Sequence, residues 1–157
     1  DVAARLAAFH APYHAALSAE IRRVRARHGV AVLWDCHSIR SRIPFLFDGV
    51  LPDLNIGTNG GASCAMAIAG VALRHAAASR YGHVLNGRFK GGWTTRAYGR
   101  PGEGVHAIQM EIAQSAYLAA ERPPWDHDPA KAAPLRAVLS DMLQEISALA
   151  PELQVEP

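Results

Sequence analysis

The sequence has little that would indicate a disulfide scaffold, a membrane protein or a disordered chain. Its 157 residues include only two cysteines, Cys36 and Cys64, too few for a disulfide framework or a four-cysteine zinc site. No stretch reaches the ~18 uncharged apolar residues that a membrane span requires, and the first residues lack a basic-then-apolar signal pattern. Hydrophobic residues make up 50% of the chain and charged residues 19%, which is typical of a globular protein. We therefore expect one domain over residues 1–157, located in the cytoplasm and without a membrane partner.

Lysine is also scarce, since only Lys90 and Lys131 occur among the 16 basic residues, and the formal net charge is +2. The many arginines favour forked recognition of carboxylates or phosphates, although a codon bias toward arginine would give the same composition. One basic run at 22–27 resembles a nucleic-acid patch, but cations at a helix end are equally explained by the helix dipole. We expect no nucleic-acid partner.

The apolar patterns predict an α/β fold with a mostly parallel sheet flanked by helices. The continuous apolar run at 30–34 is typical of a parallel strand buried on both faces, whereas residues 105–112 alternate. Pro12 favours a first helix that starts near it and ends before Gly29. In chain order the predicted elements are that helix, a strand at 30–34, a helix at 62–80, strands at 82–89 and 105–112, and a final amphipathic helix after Asp128-Pro129.

The segment at 39–61 is rich in Pro, Gly, Asp and Asn, the segment at 91–102 is rich in glycine, and we predict that both are loops. A loop as long as the first one is usually functional in a compact domain. Arg40 lies in the first loop and Arg96 in the second, where forked contacts to an anionic substrate would be made.

His37 follows the first predicted strand, and ligands of open α/β sheets bind beyond the carboxyl ends of strands. With Asp35 two residues earlier, His37 has the context of a neutral metal ligand whose other ring nitrogen is held by a carboxylate. A hydrogen-bonded structural histidine is the alternative. One histidine does not make a catalytic zinc site, which takes about three protein ligands.

Glu111 lies within the otherwise apolar alternating segment. An unpaired carboxylate is costly to bury, so Glu111 is either ion-paired or retained as a general base with a raised pKa.

Three other groups are weaker candidates. His10 and His14 have the i, i+4 spacing of zinc-binding helices, but Pro12 lies between them and no glutamate follows His10. His106 alternates onto an apolar face, which favours a packed histidine. Cys64 lacks a recognisable histidine partner that would make it a reactive thiolate.

Eight fragments in order resemble the N-formylglutamate amidohydrolase family, from about His10 to about Trp125. They are YHAAL (13–17), LWDCHSI (33–39), LFDG (46–49), LPDLNIGT (51–58), GGASC (60–64), NGRFKGG (86–92), YGRP (98–101) and VHAIQME (105–111). The resemblance implies a Zn²⁺-dependent hydrolase that removes formate from N-formyl-L-glutamate in histidine degradation. It also implies a fold similar to the zinc carboxypeptidases, of the phosphorylase/hydrolase-like type.

The resemblance implies residue roles as well. In that wider group a His-Ser pair at a strand end supplies the last zinc ligand and a glutamate on a later strand is the base, and His37-Ser38 and Glu111 match those places. The dicarboxylate substrate would then be bound by loop residues, for which the candidates are Arg40, Arg96, Asn86 and Thr95.

Family members are considerably longer, so the chain corresponds to a C-terminal portion whose earlier metal ligands are expected before Asp1. Two alternatives stay open. One is a related zinc hydrolase acting on another N-acyl amino acid or a small peptide. The other is a truncated domain that folds and self-associates as a homo-oligomer but has lost its site.

Overall fold

The structure is a computed structural model that describes residues 1–155. It contains one four-stranded sheet with helices on both faces. The strands are β1 (Ala31–Ile39), β2 (Leu54–Gly57), β3 (His83–Leu85) and β4 (Val105–Ala113), and the α-helices are α1 (Val2–Arg5), α2 (Ala11–His28), α3 (Met66–Ala78), α4 (Trp93–Tyr98) and α5 (Pro129–Leu149).

The sheet is mixed, with the order β1-β4-β2-β3. β1 is parallel to β4 and β3 is parallel to β2, but β2 runs antiparallel to β4. The prediction of a mostly parallel sheet is therefore confirmed only as a mixed α/β fold. The cause is β2, which lies inside the segment predicted as a loop. β1 ends and β2 starts at the same end of the sheet, and no crossover helix connects them. β2 must therefore run in the opposite direction to β1.

The hydrophobic core lies on one face of this sheet. Ile56, Ile108 and Met110 are fully buried there and belong to one apolar cluster with side chains of α3 and α5. Because neighbouring strand residues point to opposite faces, Gln109 and Glu111, which alternate with Ile108 and Met110 in β4, point to the other face. The packed core thus leaves the second face free to carry polar side chains.

The predicted start of the first long helix near Pro12 is confirmed in part, because α2 begins at Ala11 but does not begin the helical chain. The chain is helical from Val2, and a π-helical turn at Leu6–His10 connects α1 to α2. A proline has no N–H to donate and its ring crowds the carbonyl four residues earlier, so a wider turn directly before Pro12 is a sterically reasonable adjustment. The predicted end of the helix is confirmed by Gly29, whose φ of 72° is left-handed.

β1 is an edge strand, which corrects the prediction of a strand buried on both faces. Ala31 is buried, but the residues from Val32 to Asp35 are only partly so. β1 also continues to Ile39, which places His37 within the strand rather than after it.

The remaining predictions had mixed outcomes. Residues 91–102 contain α4, which interrupts the second predicted loop. The final helix is confirmed, with the Asp128 side chain accepting the N–H groups of Ala130 and Lys131. Among residues 1–155 no helix combines the length and apolar character needed to cross a bilayer. The cytoplasmic location stays a prediction.

Candidate active site

Four polar side chains share the face of the sheet opposite the core. Asp35 and His37 lie on β1, and the register pairs them with Gln109 and Glu111 of β4, respectively. Paired residues of neighbouring strands point the same way, so the four side chains form one polar row. The alternation in β1 and β4 that creates this row also sends Ile108 and Met110 into the core.

His37 contacts the carboxylate two residues before it. Its Nε2 lies 3.1 Å from Asp35 Oδ1, while 49% of the His37 side chain stays exposed. This is the contact that the sequence predicts for a metal-binding histidine, because a carboxylate on one ring nitrogen orients the other. The other oxygen, Asp35 Oδ2, is buried and has no hydrogen-bond partner among the described residues.

Glu111 is a buried carboxyl group that is not in an ion pair with any arginine or lysine of the described chain. It is 6% exposed. Burial raises the pKa of the Glu111 carboxyl, His37 partly opposes this shift, and Asp35 adds to it. Of the two interpretations drawn from the sequence, this environment favours the general base.

Gln109 holds Glu111 in place. The Gln109 amide donates from Nε2 to Glu111 Oε2 over 3.3 Å, and its Oε1 accepts the N–H of Gly92 at 2.6 Å. Since the Gly92 N–H can only donate, it fixes which end of the amide faces the carboxylate. The glycine-rich segment before α4 is thereby connected to Glu111 through one side chain.

Glycine at two positions lets that segment approach the sheet. A Cβ at Gly57 would lie 2.5 Å from the Gly91 nitrogen, and one at Gly91, where φ is +107°, would lie 2.9 Å from a Thr95 methyl group. A side chain at Gly57 would push the segment off the sheet, and one at Gly91 would collide with Thr95 of α4. The sequence signal Gly91-Gly92 is thus explained by close packing beside the polar row.

The structure does not bring all four predicted substrate contacts together. Arg40 follows β1 at one end of the sheet, whereas Asn86 follows β3 at the other end and three strands away. At ~3.3 Å per residue and ~4.8 Å per strand, their main chains are roughly 20 Å apart. One small ligand would therefore contact one or the other.

The remaining two candidates lie in α4, beside the polar row. Arg96 is exposed and donates from Nη1 to the Gly91 carbonyl over 2.9 Å. Thr95 is fully buried, and its hydroxyl has no hydrogen-bond partner among the described residues. Asn86 bonds instead with the loop after β2, since its amide contacts Thr58 and Gly60.

Sequence reasoning missed two residues of this region. Gln109 was recognisable, because it shares the alternating face of Glu111 and is a second polar residue in an apolar strand. Glu121 gave no such signal. Its carboxylate accepts the N–H and the hydroxyl of Ser41, both at 2.6 Å, and the N–H of Ser115 at 2.9 Å. Glu121 thereby ties together the chain segments that leave β1 and β4.

The residues described do not complete a catalytic metal site. Within residues 1–155 no three His, Cys, Asp or Glu side chains are grouped closely enough to hold a metal ion. His37, supported by Asp35, fits one ligand position of the usual three.

The structure also gives the surroundings of two weaker candidates, His106 and Cys64. His106 Nδ1 accepts the Ala65 N–H, as a packed histidine would, and burial raises the pKa of the Cys64 thiol to about 11.

Comparison with known proteins identifies relatives of the chain. A family model described as N-formylglutamate amidohydrolase matches residues 1–118. The chain is 49% identical over 144 residues to an N-formylglutamate deformylase of Pseudomonas aeruginosa, which covers 91% of the chain and 54% of that protein. It is 50% identical over 141 residues to an N-formylglutamate deformylase of Pseudomonas putida, which covers 87% of the chain and 51% of that protein. The chain thus spans about half the length of these curated relatives.

A solved structure has the same fold. The crystal structure of an N-formylglutamate amidohydrolase from Ralstonia eutropha JMP134 superposes with a TM-score of 0.78 at 22% identity, covering 94% of this chain and 55% of that one. The match supports the α/β fold with its single sheet. The similarity to zinc carboxypeptidases that the family resemblance implies stays a prediction.

Proposed function

The chain belongs to the N-formylglutamate amidohydrolase family, and we propose that it carries the general base of an active site that hydrolyses N-formyl-L-glutamate to L-glutamate and formate. The observation that carries this proposal is Glu111, a buried carboxyl group of raised pKa beside His37 on the polar face of the sheet. Because the chain spans about half the length of its curated relatives, the activity belongs to the protein of full family length.

The residues around His37 support a role as metal ligand. Its Nε2 faces Asp35, so Nδ1 is the nitrogen left to bind a divalent metal. A zinc ion bound here would supply a water molecule whose pKa is lowered toward ~7. Since residues 1–155 hold no group of three ligands, we assign the other ligands to the half of the family length outside this chain.

Glu111 performs the proton transfers of the proposed reaction. Its carboxylate accepts a proton from the attacking water as the new C–O bond forms at the formyl carbon. It then returns this proton to the nitrogen as the C–N bond breaks, which gives formate and the amino group of glutamate. A raised pKa suits both steps, because a group that titrates nearer neutral pH both accepts and releases a proton readily.

We assign recognition of a substrate carboxylate to Arg96. Its guanidinium is exposed, and the bond from Nη1 to the Gly91 carbonyl holds it beside the segment that contacts Gln109. That bond uses one N–H group, which leaves the other N–H groups of the Arg96 guanidinium to bind a carboxylate. A site built in this way selects an acidic amino acid over a neutral one.

A rate comparison tests the proposed substrate. A protein of full family length that contains this chain is assayed on N-formylglutamate, N-acetylaspartate and a dipeptide. We expect kcat/KM for N-formylglutamate to exceed the other two at least tenfold. A higher value for N-acetylaspartate or the dipeptide would favour the related zinc hydrolase. Absence of both turnover and bound metal would favour a domain that has lost its site.

A further inference from the structure

His10 and His14 lie together on the surface of the first helix, outside the polar row of β1 and β4. Their ring centroids are 4.2 Å apart. His10 ends the π-helical turn and His14 lies in the first turn of α2, so the pair has the i, i+4 spacing that places two side chains on one helical face. From the sequence alone, Pro12 and the missing glutamate argued against a metal role for them. The structure shows that Pro12 does not separate the two rings.

From this pair and its surroundings we propose that His10 and His14 bind one divalent transition-metal ion of the kind that prefers imidazole ligands, such as Cu²⁺ or Ni²⁺. The site is separate from the one that contains His37, and it does not depend on the proposed hydrolysis. Imidazole is among the ligands that suit copper, nickel and zinc. Because no third His, Cys, Asp or Glu within residues 1–155 joins the pair, solvent fills the remaining positions.

The distance between the rings is that of two ligands at neighbouring corners of a metal. With metal–nitrogen bonds of about 2.0–2.1 Å, the centre of each imidazole lies roughly 3.2 Å from the ion. For two rings whose nitrogens face one common ion, centroids 4.2 Å apart correspond to an angle at the metal of roughly 80°. This is near the right angle of tetragonal Cu²⁺ or Ni²⁺ sites and below that of tetrahedral Zn²⁺.

Tyr98 already orients one of the two rings. The Tyr98 hydroxyl lies 2.7 Å from His14 Nδ1 and is positioned to donate to the His14 carbonyl over 3.4 Å. When the hydroxyl donates to the carbonyl it accepts from the ring, which places the proton on Nδ1 and leaves Nε2 with a free lone pair. Histidines that bind metals commonly have such a partner on the second nitrogen. In that tautomer, His14 is preorganised to bind through Nε2.

Trp93 lies against both rings and provides a signal for binding. Its ring centroid is 4.5 Å from that of His14 and 5.9 Å from that of His10, and the side chain is 52% exposed. A paramagnetic ion held by the pair would quench the fluorescence of this tryptophan. Trp93 also follows Gly92, which donates to Gln109, so the site lies one residue from the segment that contacts the polar row.

The test is a titration of the 157-residue chain with Cu²⁺, followed by tryptophan fluorescence and by calorimetry, in a His37→Ala background that removes the other candidate ligand. We expect one equivalent to bind with quenching, and His10→Gln or His14→Gln to weaken binding at least tenfold. Trp93→Phe should remove most of the quenching while calorimetry still detects binding. Tyr98→Phe, which keeps both imidazoles, should weaken binding about tenfold, in the range seen when such supporting partners are lost.

His28→Gln is the matched control, because His28 is also an exposed histidine of α2 but lies at its other end. It should leave both the affinity and the quenching unchanged. Circular dichroism verifies that each variant is folded. The proposal is overturned if His10→Gln and His14→Gln both bind Cu²⁺ as tightly as the parent, or if the His28 variant loses as much affinity as they do.

Discussion

Replacing Glu111 with glutamine is expected to stabilise the chain at neutral pH. The carboxyl group is 6% exposed, and burial raises its pKa above the ordinary value despite the opposing effect of His37. The folded chain therefore holds this proton more tightly than the unfolded chain does. In the interval between the two pKa values the folded state binds more protons, so the free energy of unfolding falls as the pH rises. Below that interval the carboxyl is protonated in both states, and its burial no longer lowers the free energy of unfolding through ionisation.

The size of the effect follows from what glutamine keeps and what it removes. The new side-chain carbonyl can still accept from Gln109 Nε2, now 3.3 Å from the carboxylate, and Asn55 donates to the main-chain carbonyl of residue 111 at 3.1 Å in either case. We expect Glu111→Gln to gain about 1–2 kcal/mol at pH 8, as relief of a destabilised functional site commonly does.

Urea unfolding monitored by circular dichroism between pH 4 and pH 8 measures this gain. The stability gain should shrink toward zero as the pH approaches ~4.3, the ordinary pKa of a glutamate carboxyl. Glu103→Gln is the control, because the Glu103 side chain is 65% exposed and its replacement should change stability by less than about 0.5 kcal/mol. A loss of stability in Glu111→Gln that grows as the pH rises would refute this expectation, since it would mean that the carboxylate is favoured where it lies.

Three further predictions concern the proposed site. In a protein of full family length, His37→Ala should lose most of the bound metal, because one of about three ligands is removed, and near-normal zinc content in the folded variant would exclude the role. Arg96→Ala should lower the affinity for N-formylglutamate more than that for N-formylglutamine, whereas equal losses would mean that Arg96 does not bind the side-chain carboxylate. The 157-residue chain alone, given excess zinc, should release almost no formate from N-formylglutamate. Turnover within tenfold of the ordinary enzyme range of ~1–10³ s⁻¹ would show that its ligand set is complete.

The sequence predicted best those elements whose side chains are divided between two environments. β4 is the clearest case, because its alternation separates Ile108 and Met110 from Gln109 and Glu111, and the structure places these pairs on opposite faces. The final helix was predictable for a related reason, since Asp128-Pro129 is a local capping signal that needs no tertiary contact.

The elements that were missed depend on contacts distant in sequence. β2 has only four residues, Leu54–Gly57, between turn-forming stretches, and it is a strand because it pairs with β4 and β3. α4 begins directly after Gly91-Gly92, and the Gly92 N–H is bonded to Gln109 rather than to a local cap. Local propensity carries little information about such segments.

The candidate site was predictable in its chemistry but not in its supports. His37 and Glu111 stood out as polar residues at a strand end and in an apolar strand. That they face each other depends on the parallel register of β1 and β4, which the sequence does not specify. The spacing of His10 and His14 was visible, yet Tyr98, the hydrogen-bond partner of the His14 ring, lies 84 residues from it in the chain.

The account rests on Glu111 as the group that moves the proton, and formate release tests this most directly. The rate on N-formylglutamate is measured for a protein of full family length and for its Glu111→Gln variant, with zinc content and circular dichroism measured on the same samples. Loss of a general base typically costs about 10²–10⁴-fold in rate. The account predicts a loss of that size with metal content and fold retained. A folded, metal-loaded variant that keeps its rate within tenfold of the parent would contradict it.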